Sequence, residues 1–117
     1  MGDKPVIDIS AEHRQIVCAI LRKHVPDREV WVFGSRVQGS AKPYSDLDLA
    51  VIGDEPLDLG VAADLADAFD ESALPFKVDV VDWASTAPAF RSVIEATKVR
   101  IQHGVTGFRE EPLPGAV

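Results

Sequence analysis

Two aspartates interrupt an otherwise apolar segment, Asp46-Leu47-Asp48-Leu49-Ala50-Val51-Ile52. The alternation has a period of two, so Asp46 to Ile52 reads as a strand. Asp46, Asp48 and Ala50 share one face, and Leu47, Leu49 and Val51 share the other. Aspartate disfavours strands, and like charges on one face repel. A chain that keeps such a pair needs either water over that face or a group that offsets the charge. A divalent cation is the direct offset, because hard cations take carboxylate oxygens. An exposed strand with two solvated acids is the plain alternative, and the pair alone does not choose between them.

A second apolar run, Lys77 to Asp82, carries the same oddity at Val78-Asp79-Val80-Val81. If the two strands are neighbours, Asp79 completes a three-carboxylate cluster. Such a cluster can hold two metals about 3.5–4 Å apart, the arrangement that clamps attacking and leaving oxygens in phosphoryl transfer. Asp82, at the strand's end, reads as a turn or cap residue. Glu29 to Phe33 is a further buried strand, and Gly34-Ser35 follows it at once. A glycine there lets backbone approach a ligand, and a serine can donate its hydroxyl. An ordinary Gly-Ser turn is the bland reading. Gly39 is either a helix stop or a permissive point of the same loop. Arg36 and Lys42 read as solvated surface charges before they read as triphosphate contacts.

Around these strands, Ser10–His24 reads as a helix with Ile16, Val17, Ile20 and Leu21 in one stripe, and Asp8 or Ser10 can cap it. Arg36–Gly39 is a helical turn, and Ser40–Ser45 is a loop. Leu57–Glu71 is a helix with Leu59, Ala62, Ala63, Ala66 and Phe69 inward. Pro88–Gln102 is another, with Phe90, Val93, Ile94, Thr97 and Ile101 inward, Ser85 or Thr86 as its cap and Gly104 as its stop. The expected fold is α/β, a small mixed sheet flanked by helices. Residues 1–106 form the domain, and 107–117 a flexible tail.

Net charge is −7, with nineteen acidic against twelve scattered basic residues. That balance argues against direct nucleic-acid binding, which needs clustered Lys and Arg. A metal-bound triphosphate remains compatible, because the cation offsets the repulsion. Cys18 is the single cysteine, so no internal disulfide can form, and it reads as a small buried hydrophobe. No signal peptide or membrane span is visible, and the expected location is cytoplasmic. His13, His24 and His103 have no metal-ligand spacing and read as surface residues. Trp31 and Trp83 read as core or rim aromatics.

Taken together, Gly34-Ser35-Arg36-Val37-Gln38-Gly39 and Ser45-Asp46-Leu47-Asp48-Leu49-Ala50-Val51 resemble the signature of the DNA polymerase β-like nucleotidyltransferase superfamily. Ten residues separate Ser35 from Asp46, as in that signature, and Val78-Asp79-Val80-Val81 resembles its later strand with the third acid. Gln38 departs from it, standing where relatives often carry a basic or small residue. The short chain resembles the minimal nucleotidyltransferases, the antitoxin group of HEPN/MNT toxin–antitoxin pairs. The resemblance implies a polymerase β-like core that transfers AMP from ATP to a tyrosine hydroxyl of a HEPN-domain toxin. It implies Asp46, Asp48 and Asp79 as catalytic metal ligands for Mg²⁺ or Mn²⁺, with Asp79 also as base. It implies Gly34, Ser35, Gly39 and Ser45 as nucleotide-binding residues. Two other readings stay open: an antitoxin that neutralises by binding alone, and a small-molecule nucleotidyltransferase of the aminoglycoside type.

Overall fold

The computed structural model describes residues 7–104. The expected tail, 107–117, lies outside them. The elements run α1 (Ala11–His24), β1 (Val30–Phe33), α2 (Ser35–Gln38), β2 (Leu47–Val51), α3 (Leu59–Asp70), β3 (Val78–Asp82), a 3₁₀ turn (Trp83–Ser85), α4 (Pro88–Thr97) and β4 (Val99–Gln102). The strands form one mixed sheet in the order β3-β2-β1-β4. β1 is antiparallel to both β2 and β4, and β2 is parallel to β3. The parallel pair needs a crossover, which α3 supplies.

The period-two pattern sorts side chains to the two faces. Val30, Val32, Leu47, Leu49 and Val51 join Val17 and Leu21 of α1 and Leu65 and Phe69 of α3 in the main core. Trp31, Phe33 and Ala50 point the other way and pack with Ile94 of α4. Asp48 shares the face of Ala50. In β2 and β3 one apolar row therefore anchors the sheet, and the opposite face carries Asp48 and Asp79.

Three expectations are corrected. The last helix does not reach Gln102. It stops at Thr97, where Lys98 turns extended (φ −57°, ψ 146°). Val-Arg-Ile-Gln then alternates as a strand and covers the open edge of β1. Val99 and Ile101 are β-branched, and pairing with β1 outweighs their helical spacing. Gly104 thus follows a strand and stops no helix. Second, α3 buries Phe69 as expected, but together with Leu65, whereas Leu59 is 87% exposed. Alanines contribute too little area to pin a face, so the large residues at i and i+4 decide it. Third, α4 buries only Ile94, leaving Phe90 and Val93 exposed.

Capping follows similar local chemistry. Ser10 accepts the His13 N–H at 3.0 Å, as expected of a cap. At α4 neither Ser85 nor Thr86 caps. Ala87 holds the cap position, Pro88 begins the helix, and the Thr86 hydroxyl donates to the Asp82 carbonyl instead. Cys18 is half-buried rather than part of the core; it sits with Arg14, Gln15 and Arg22 along a shallow outer depression.

Candidate active site

The site begins with strand register. Asp48 is paired with Asp79 across the parallel β2–β3 ladder and with Phe33 across the antiparallel β1–β2 ladder. Strands lie about 4.8 Å apart, so Asp48 and Asp79 project side by side from one face. Asp46 lies two residues before Asp48 and just ahead of β2. The sheet therefore brings the three acids to one end. Asp46 and Asp79 are exposed, and Asp48 is half-buried between them. Burial pushes the Asp48 carboxyl above its ordinary value, and the charges of Asp79 and then Asp46 push the same way. Among the described residues no three acids, histidines or cysteines close into a metal cage. The acids share a face without converging, as expected for like charges that repel.

β1 delivers the next element. Its last residue, Phe33, leads into Gly34, whose φ of 83° is left-handed. A β-carbon at Gly34 would run into the Asp48 carboxylate. Glycine is therefore required twice, by the backbone and by the acid beside it. Ser35 opens α2, a single turn that ends at Gly39, also left-handed at φ 80°. The Gly39 N–H bonds back to the Ser35 carbonyl, so Gly39 is a helix stop with open space around it.

Arg36 is the residue that sequence reasoning misplaced. It is only 5% exposed, neither a surface charge nor a triphosphate contact. Its guanidinium donates to the carbonyls of Asp8, Lys42, Pro43 and Ser45 at 2.8–3.3 Å and lies 4.2 Å over the Phe76 ring. Five planar donors suit such a set of acceptors. The clamp fastens α2 to the loop that leads into Asp46. Ser45 belongs to the same loop: its hydroxyl accepts the Lys42 N–H at 2.8 Å. Lys42 itself is exposed. Only a cation followed by a proline-bearing loop hinted at the clamp in sequence, and that signal is weak.

The remaining candidates fall outside the acid end. Asp82 accepts the Leu57 N–H at 2.8 Å through Oδ2, which ties the turn after β2 to the end of β3. Trp31 and Trp83 pack edge to face at 5.0 Å, and Trp31 is buried. His13 is not a plain surface residue, since it packs edge-on against Phe76 at 5.6 Å. His24 is half-buried and His103 is exposed. No helix among the described residues is long and apolar enough to cross a membrane.

A mixed sheet with acids on adjacent strands and Gly-Ser after a third is a geometry that comparison can test. The family model described as polymerase beta nucleotidyltransferase matches residues 14–103. The chain belongs to that family. The probable protein adenylyltransferase MntA of Haemophilus influenzae is 53% identical to this nucleotidyltransferase over 96 residues, covering 82% of this chain and 84% of its own. A toxin–antitoxin crystal structure with AMP-PNP superimposes at a TM-score of 0.65 and 28% identity, over 80% of this chain and 74% of that one. A complex of tri-AMPylated Shewanella oneidensis HEPN toxin with MNT antitoxin superimposes at 0.59 and 25% identity, over 80% and 71%. The nucleotidyltransferase therefore shares both the family and the small mixed-sheet core of these proteins.

Proposed function

We propose that this nucleotidyltransferase transfers AMP from ATP to a tyrosine hydroxyl of a HEPN-domain toxin and so acts as its antitoxin in the cytoplasm. The observation that carries the reading is the register that aligns Asp48 with Asp79, beside Gly34, which Ser35 follows directly. The likeness to MntA and to toxin–antitoxin structures supports the acceptor and the partner. Residues 1–106 make up the catalytic unit in this reading.

Asp46, Asp48 and Asp79 would hold Mg²⁺, or Mn²⁺ in its place. Their mutual repulsion and the raised Asp48 fit a site built for a cation. The ion would neutralise phosphate charge and lower the pKa of the acceptor hydroxyl. The chain's own residues do the rest. Gly34 leaves room beside Asp48, and the Ser35 hydroxyl donates to a phosphate oxygen. Gly39 and Ser45 shape the loops on either side of that contact. Asp79, on the exposed edge strand, takes the proton of the incoming hydroxyl. The new bond joins that oxygen to the α-phosphorus, and the bond to pyrophosphate breaks in line.

Toxin neutralisation in cells tests the reading. A chain with Asp46→Asn and Asp48→Asn should still accumulate but fail to rescue growth. Undiminished rescue would assign neutralisation to binding alone.

A further inference from the structure

We propose that Phe90, backed by Phe33, is the platform on which the nucleobase of the bound nucleotide rests. The proposal deepens the nucleotidyltransferase reading above and depends on it. Phe33 stands directly across from Asp48 in the β1–β2 register. The Phe90 ring meets Phe33 edge-on, with centroids 5.8 Å apart. Opposed side chains of an antiparallel pair lie about 5 Å apart, so Phe90 is two side-chain contacts from the acid end. That is the reach of a metal-held phosphate followed by its ribose and its base.

Phe90 is also where the structure spends apolar surface without burying it. It is 42% exposed, and Val93, one turn along the same face of α4, is 58% exposed. Helix α4 buries only Ile94. Among the described residues the other exposed large apolar side chains, Tyr44 and Leu59, lie in the loop before Asp46 and at the start of α3. A patch of two side chains is far smaller than the roughly 800 Å² per partner of a stable protein interface. It matches one flat aromatic ligand. Trp31 is not free for this task, because it is buried against Trp83 with the Lys98 ammonium 3.9 Å over its ring. A phenyl face carries no hydrogen-bond code, so the platform takes any base, and ATP and GTP should bind within a few-fold of each other.

The test is calorimetric titration of the full chain, with Mg²⁺, against ATP, ribose 5-triphosphate and inorganic triphosphate. Two variants accompany the natural chain. Phe90→Leu keeps the apolar packing on Phe33 without the flat ring, and Phe90→Tyr keeps the ring. The natural chain and Phe90→Tyr should bind ATP about tenfold more tightly than ribose 5-triphosphate, as aromatic stacking of a base provides. Phe90→Leu should lose that preference while holding inorganic triphosphate unchanged. The platform is overturned if Phe90→Leu keeps the preference or if it loses inorganic triphosphate as well. If the natural chain binds ATP but shows no preference over ribose 5-triphosphate, the platform alone falls. If it binds none of the three, the nucleotidyltransferase reading falls with it.

Discussion

Asp48 is held against its own preference. Burial and two neighbouring carboxylates raise its pKa in the folded chain above the 3.8 of an unfolded one. Between those two values the folded state binds more protons than the unfolded state, so stability falls as pH rises through that interval. Above it the full destabilisation is present. Asp48→Asn should therefore melt higher than the natural chain at pH 7 without divalent cation, and the gap should close as pH falls towards 3.8. Each kcal/mol relieved is worth about 4–8 °C in a domain of this size. Added Mg²⁺ should raise the melting temperature of the natural chain and leave the variant nearly unmoved. A thermal scan across pH, with and without Mg²⁺, reads all three effects. Arg36 makes the opposite case, a charge whose bonds hold the site's loops. Arg36→Lys keeps the charge but offers three donors to the four carbonyls that Arg36 holds, and strands buried acceptors. It should cost about 2 kcal/mol in urea unfolding.

At the scale of elements, packing rather than spacing decides which residues turn inward. Leu65→Ala should cost about 2–5 kcal/mol, whereas Leu59→Ala should fall within about 0.5 kcal/mol of the natural chain. Equal losses at the two positions would contradict the face that α3 presents. The strands bearing Asp48 and Asp79 were legible because an acid inside Val and Leu has few structural excuses, and because the period of two fixes the shared face. The capping of α1 by Ser10 was legible for a similarly local reason. What could not be read was non-local. β4 is helical by spacing and becomes a strand only because β1 leaves an edge to pair with. The Arg36 clamp depends on carbonyls from Asp8 to Ser45 that only the folded chain assembles. The adjacency of β2 and β3 was posed in the sequence as a condition, and the crossover through α3 meets it.

For the whole molecule, the sheet separates two tasks. One face makes the main core with α1 and α3, and the other carries the acids, with Asp46 and Asp79 exposed and Asp48 half-buried. With β3 at the sheet's edge, Asp79 stands on the outermost strand. The net charge of −7 fits a surface that meets its nucleotide through a cation and not through a basic groove. AMP transfer from this face to a partner protein is read most directly in the partner's mass. The direct measurement is the intact mass of a HEPN-type partner after incubation with the natural chain, ATP and Mg²⁺, beside the Asp46→Asn/Asp48→Asn variant. A mass increase of one or more adenylyl groups is expected with the natural chain and none with the variant. An unchanged partner mass in a stable complex, or an increase that survives in the variant, would contradict it.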